Sequence, residues 1–250
     1  MSGGGGHDFD ADAAGYEDTL NRGLSISGEK ASFFAEARML WLAGRLRRLG
    51  FVARTALDYG CGTGGSTPFL VNVLGVETVV GLDASATSLE VARAKHATLR
   101  GEYRLPQDYR PNGTVDLAFC NGVLHHIPPA ERAGTVAYMA ACLRPGGLVA
   151  FWENNPWNPG TRYVMKRLPF DRDAIPITSI ETRALTRSVG LEVLSTDFCF
   201  FFPGVLRMLR RFERWLASVP LGAQYLVLCR KPPGSIKARK VDRFEAEEIA

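Results

Sequence analysis

Two stretches of this 250-residue chain carry residue types and spacings that could do chemistry. The first is Leu57-Asp58-Tyr59-Gly60-Cys61-Gly62-Thr63-Gly64-Gly65, where a short apolar run feeds a cluster of glycines and a helical pattern begins at once. Glycine reaches positive φ without strain and lets a ligand approach the main chain. The helix start that follows offers unpaired N–H groups to a polar or anionic ligand. Asp58 narrows the choice of ligand. A carboxylate two positions before the first glycine repels a pyrophosphate and favours a ligand carrying an ammonium or sulfonium. The second stretch, Asn121-Gly122-Val123-Leu124-His125-His126, follows the apolar run Val115–Cys120. Histidine titrates near neutral pH, so His126 or His125 can take a proton from an acceptor. Glu153 and Asn154, which follow a later apolar run, compete for that role.

The string Leu57 to Gly64 resembles the first motif of class I S-adenosylmethionine-dependent methyltransferases of the small-molecule type. The segment around Asn121 is similar to that family's second block, and Leu143-Arg144-Pro145-Gly146-Gly147 before an apolar strand is similar to another of its signatures. The likeness runs over about residues 16–230, and the pattern Tyr16…Gly28-Glu29…Phe34…Arg38 resembles the cap of such enzymes. The resemblance implies S-adenosyl-L-methionine as cosubstrate. Asp58, Gly60, Gly62 and Gly64 then frame its amino-acid end, Asp83 holds the ribose, Asn121 lies beside the methionyl group, and Cys61 and Ala84 are further cofactor-binding residues. Asp83 carries that reading by position too. It closes the apolar run Thr78–Leu82, 18 residues after Gly65, near the spacing at which an acid accepts from ribose hydroxyls. The adenine end has no clear partner. Gly101 to Tyr109 holds only Tyr103 and Leu105 as apolar strand candidates and reads as a plain loop, with Gln107 and Asp108 as weak candidates.

Methyl transfer from a sulfonium is a direct displacement with a neutral leaving group, so a protein mainly aligns the partners and excludes water. A base helps when the acceptor is a hydroxyl. The expected reaction is methylation of a small molecule, or of a sugar- or lipid-linked metabolite, at oxygen. His126, His125 and Glu153 are the catalytic candidates, and no metal is expected. One alternative is an NAD(P)-dependent oxidoreductase using the Gly60-x-Gly62-x-x-Gly65 turn. Another is a module that binds S-adenosylmethionine without catalysis.

These residues need a scaffold that brings several strand ends to one edge. Alternating strands and helices followed by a β-rich end predict an α/β fold, a doubly wound, mostly parallel seven-stranded sheet with a reversed last strand. Residues 15–50 read as a helical cap, 51–159 as the cofactor-binding core, and 160–230 as an acceptor-side insertion with the closing strands. Residues 1–14 read as disordered and 231–250 as a charged tail. Thr87-x-x-Glu90 and Thr178-x-x-Glu181 read as capping boxes. Val205–Leu216 reads as an amphipathic helix packed on the core, with Arg207, Arg210, Arg211 and Arg214 in solvent. A membrane-facing lip over 198–216 is the alternative.

Composition removes several function classes. A net charge of +4 is too even for a nucleic-acid partner. Five cysteines without a C-x-x-C pair fit reduced thiols better than disulfides or zinc. No secretion signal and no run near the roughly 18–20 apolar residues of a membrane span is present. The expectation is a cytoplasmic protein with a small-molecule acceptor, no nucleic acid and no stable membrane insertion. No feature assigns an oligomeric state.

Overall fold

The computed structural model describes residues 16–234; the Gly-rich N-terminus and nearly all of the charged tail lie outside the described residues. Strands buried on both faces need near-continuous apolar runs, and these become β1 (Thr55–Tyr59), β2 (Thr78–Leu82), β4 (Val115–Asn121) and β5 (Leu143–Asn154). With β3 (Gly101–Arg104), β6 (Glu192–Cys199) and β7 (Gln224–Arg230) they form one seven-stranded sheet, ordered β3-β2-β1-β4-β5-β7-β6. The first five strands run parallel, and β7 is antiparallel to both its neighbours. This is the expected doubly wound sheet with a reversed last strand. Alternate residues face opposite layers: Leu57, Val149, Phe151 and Val227 bury into one, Ala56, Ala150, Trp152 and Leu226 into the other.

Among the described residues the helices are α1 (Tyr16–Leu24), α2 (Ala31–Arg48), α3 (Thr67–Leu74), α4 (Ala86–Lys95), α5 (Arg132–Cys142), α6 (Pro159–Met165), α7 (Ser179–Ser188) and the single turn α8 (Glu213–Leu216). Three differ from expectation. The cap of α4 is Ser85, whose side chain accepts from Ser88 N–H, and not Thr87. By contrast α7 does carry the Thr178–Glu181 capping box. α5 starts at Arg132, three residues beyond Pro129, where the preference of proline for a first helical position puts a helix start. Val205–Leu216 is not one helix but a run of 3-10 turns, Gly204–Phe212, kinked at Leu206 and leading into α8.

β3 is a strand rather than a loop. Its one buried side chain, Tyr103, is held at both ends: its hydroxyl donates to Thr67 Oγ1 (3.0 Å), and Arg93 donates to its carbonyl (2.6 Å). Gly81 on β2 makes room for the ring, since a Cβ there would come within 2.4 Å of it. The Arg-Pro-Gly-Gly segment lies within β5. Arg144 Nε donates to Asp116 Oδ1 (2.5 Å), whose other oxygen accepts from the Arg54 and Thr55 N–H groups (2.9 Å each). A Cβ on Gly147 would sit 2.9 Å from Arg144 O and 3.1 Å from Val115 O. That signature is a clamp between strands.

α2 buries Met39, Leu42 and Leu46 against the layer of Trp152 and Phe119. Its docking is sealed by Asp197 of β6, which is buried and accepts from Trp41 Nε1 (2.9 Å) and from Arg45 Nε (2.6 Å) and Nη2. Asp197→Ala strands both donors, and Arg45 is a quarter exposed, so the expected loss is about 2–3 kcal/mol rather than the full cost of breaking a buried pair. Urea denaturation measures it. An unchanged midpoint contradicts the assignment.

Candidate active site

β1 and β2 end at the same sheet edge, and the glycine loop crosses between them. Gly60, Gly62 and Gly64 adopt φ of +73°, +51° and +77°, values that disfavour any other residue. The loop is stitched to β2: Gly60 and Cys61 N–H donate to Leu82 O (2.7 and 3.0 Å). Gly62 N–H donates to Asp83 Oδ2 (2.7 Å), and Ser85 N–H to Asp83 Oδ1 (2.9 Å). Thus the loop aims the carboxylate that the sequence singles out. Asp58 stands behind it, buried, and its Oδ2 has no hydrogen-bond partner among the described residues. Burial, and next the nearby charge of Asp83, push its pKa from 3.8 up to about 7. An unpartnered carboxylate beside a second one is a site for a cationic group.

Both acids border a cavity of about 1120 Å³. Asp58, Gly60, Cys61, Gly62, Asp83, Ala84 and Asn121 all line it. Gly64 does not. A Cβ there would point 2.7 Å from the His96 ring, behind the loop, and Gly65 takes its place on the wall. Gln107 and Asp108 also stay off the wall; Pro106, Ser88 and Lys95 reach it from that side. Their types and spacing carry no signal, and only the turn after β3 brings Pro106 in.

The histidine pair closes the other end. Leu124–His126 is a 3-10 turn after β4. Glu153, at the end of β5, holds it: Oε1 accepts from Val123 and Leu124 N–H (3.1 and 2.7 Å), and Oε2 pairs with His125 Nδ1 (2.6 Å). Glu153 is buried off the cavity wall, whereas His125, His126 and Asn154 line it. His125 Nε2 and His126 Nε2 both lie 3.4 Å from Asp171 Oδ1. Burial opposes charge on His125, but the charge of Glu153 and the bonds to both carboxylates outweigh it and raise its pKa to about 10. Both ring nitrogens face carboxylates, Nδ1 that of Glu153 and Nε2 that of Asp171, so neither is directed at a substrate. Burial acts to raise Asp171, yet the hydrogen bonds of His125 and His126 bring it below the usual carboxylate range. Sequence reasoning missed Asp171, which arrives from the 3-10 turn Pro169–Asp171 in a segment legible only as an insertion.

The remaining wall is largely apolar. Phe33 and Phe34 of α2 face Tyr163, Leu168, Phe170 and Phe200–Phe202, with Phe34 edge-on to Phe200 (5.1 Å between centroids). Phe200 holds φ of +65°, strained for an aromatic residue. Glu213 fixes it by accepting from the Phe200, Phe201 and Phe202 N–H groups (3.0–3.2 Å). Because these residues already cover the cavity, the segment after them has no core to face. Val205, Met208 and Trp215 are 89%, 71% and 64% exposed, contrary to the expected core-packed helix.

Parts of the chain are similar to known proteins. Residues 56–147 match the family model described as a methyltransferase domain. A trans-aconitate 2-methyltransferase of Azoarcus sp. (strain BH72) is 32% identical over 117 residues, 47% of this chain and 46% of that protein. Another, from Rhizobium rhizogenes (strain K84 / ATCC BAA-868), is 40% identical over 164 residues, 57% of this chain and 60% of that one. The chain thus spans about half the length of the curated relatives it matches. An S-adenosylmethionine-dependent methyltransferase structure from Archaeoglobus fulgidus shares the fold, with a TM-score of 0.55 at 16% identity over 77% of this chain and 94% of that one. Together the sheet order and the glycine loop define a Rossmann-like fold. The matched residues hold the glycine loop, Asp83 and the histidine turn, so this part of the chain is similar to methyltransferase domains.

Proposed function

We propose that this protein transfers a methyl group from S-adenosylmethionine to an oxygen of a small, mainly apolar acceptor. The observation that carries the reading is Asp58, a buried carboxylate with an unpartnered oxygen on the wall of a cavity that continues to the histidine pair. Asp58 fits the cosubstrate's ammonium, Asp83 the ribose hydroxyls, and the glycine loop the close approach of its amino-acid end. When bound, the cosubstrate supplies an electrophilic methyl on a positively charged sulfur. The chain's own residues then align and shield. Phe34, Phe200 and Phe201 exclude water, and Asn121 lines the passage between the two ends. Of the three catalytic candidates, His126 keeps part of its ring open to the cavity (21%) and contacts the acceptor's oxygen. His125 and Glu153 position it.

The relatives named for trans-aconitate have a tricarboxylate acceptor. The aromatic wall here favours a larger apolar body; of the arginines on it, Arg210 is already paired with Glu29 (2.8 Å) and Arg38 donates to Gln224 (3.0 Å). Calorimetry with S-adenosylmethionine, then methyl transfer to trans-aconitate and to a panel of apolar hydroxy and carboxylic acids, tests the reading. Absence of cosubstrate uptake sinks it.

The exposed segment favours peripheral contact with an anionic bilayer beside the cavity mouth. Arg211 and Arg214 lie over Phe212 and Trp215 (4.8 and 4.7 Å), so apolar and cationic groups emerge together as in an interfacial anchor. No helix among the described residues is long and apolar enough to cross a membrane. Charge reversal at Arg207, Arg211 and Arg214 is expected to remove flotation with phosphatidylserine liposomes. Equal flotation of the variant refutes the contact.

A further inference from the structure

We propose that His125, His126 and Asp171 form a binding site for one divalent transition-metal cation, with Zn2+ as its type, at the acceptor end of the cavity. The donor atoms lie within 4.8 Å of one another. Asp171 Oδ1 is 3.4 Å from both Nε2 atoms. A charge-assisted hydrogen bond prefers roughly 2.7–2.9 Å, and the His125–Glu153 contact in the same cluster is 2.6 Å, so the packing permits short bonds. The longer spacing is the edge of a coordination polyhedron: two metal–ligand bonds of roughly 2.0–2.1 Å at the tetrahedral angle span about 3.3–3.4 Å.

The surroundings are those of a metal-binding histidine. His125 offers Nε2 to the site while Glu153 holds Nδ1, and Glu153 is itself fixed by two backbone N–H groups. A carboxylate behind a ligating imidazole sets its tautomer and orientation. Asp171 is braced too: the inserted segment after β5 that carries it, here the lid, meets the core where Ile175 N–H donates to His125 O (2.8 Å), and Arg132 bridges Ile127 O and Ile175 O (3.0 and 2.5 Å). Two ligands come from the core and one from the lid, so a bound ion ties them together. Two neutral imidazoles, the Asp171 carboxylate and the Glu153 carboxylate behind them balance a dication. Three protein ligands leave a fourth position facing the cavity.

On the transferase reading above, and resting on it, that open position takes the acceptor's hydroxyl or carboxylate oxygen. The ion lowers a hydroxyl's pKa and the proton leaves to solvent; His126 then acts as a ligand.

The test uses the full chain stripped with chelator, then equilibrated with Zn2+ or Co2+. The expected result is one zinc per chain and a Co2+ visible spectrum without a thiolate charge-transfer band. Glu153→Gln is expected to weaken affinity roughly 10–100-fold. Asp171→Asn and His126→Gln are expected to lose stoichiometric uptake; His126 is partly exposed, so its replacement spares the core. Substoichiometric uptake by the unaltered chain overturns the site. So does unchanged uptake by both ligand variants, or a thiolate band. Calorimetry with S-adenosylmethionine on the same samples separates the failures. Cosubstrate uptake without zinc overturns this site alone, whereas zinc uptake without cosubstrate supports the site and removes the transferase reading.

Discussion

Asp58→Asn is expected to cost about 2–3 kcal/mol of S-adenosylmethionine binding, a factor of roughly 30–150, because it removes a charged partner from a buried cationic group. The pH dependence identifies the cause. In the ligand-free protein Asp58 titrates at about 7, and the cosubstrate's ammonium favours the carboxylate. Below that pH a proton must leave on binding, so affinity falls about tenfold per pH unit; above it the affinity is flat. The variant has no such slope. Stability runs the other way. The folded pKa lies above the unfolded value of 3.8, so the residue's contribution is fully present below about pH 4 and is lost as pH rises through about 7. That loss is on the order of 4 kcal/mol for the ligand-free protein at pH 8, and Asp58→Asn recovers part of it. Thermal unfolding at pH 5 and pH 8 is therefore expected to show the variant gaining on the unaltered chain with rising pH, while calorimetry shows it losing ligand. A variant with unchanged affinity and an unchanged pH slope contradicts the assignment of Asp58.

The second large effect separates two glycines that look alike in the sequence. A Cβ on Gly60 would lie 2.2 Å from Val123 Cγ2 at a φ of +73°. Gly60→Ala must therefore move either the loop or the turn that carries the histidines. The expected cost is about 2–4 kcal/mol from overpacking and left-handed strain together, with loss of cosubstrate binding. A Cβ on Gly62 meets nothing within 4 Å, although its φ is +51°. Gly62→Ala is expected to unfold within about 1–2 kcal/mol of the unaltered chain and yet to bind S-adenosylmethionine poorly, because its new methyl occupies the cavity wall. Val123→Ala should restore part of the stability lost in Gly60→Ala and none of the binding lost in Gly62→Ala. If both alanine variants unfold alike, the contact with Val123 is not what requires glycine at position 60.

How much was legible depended on the range of the interaction. The parallel arrangement of β1, β2, β4 and β5 follows from local pattern: apolar runs of strand length separated by helical ones leave few right-handed ways to build a parallel sheet. The glycine loop and Asp83 were legible for the same reason, since a strand, a turn and the next strand's end lie within one supersecondary unit. β3 was not, because it depends on one buried tyrosine and on room made by Gly81 in the neighbouring strand. Nor was the real environment of Val205–Leu216. Helical periodicity says that one side is apolar; it does not say whether a core remains for that side to cover.

The amino-acid sequence by itself determined that this chain makes a doubly wound sheet whose strand ends carry a glycine loop and two acids, because short-range pattern and chain connectivity suffice for that. Only the tertiary structure decided what each polar group does. It placed Glu153 behind His125 rather than on the cavity, left Asp58 buried with an unpartnered oxygen, and delivered Asp171 from the lid to the histidine pair. Those outcomes turn on burial and on distances of a few ångströms between residues far apart in the chain. Electrostatic energy depends on both, and neither is written in the spacing of residues along a sequence.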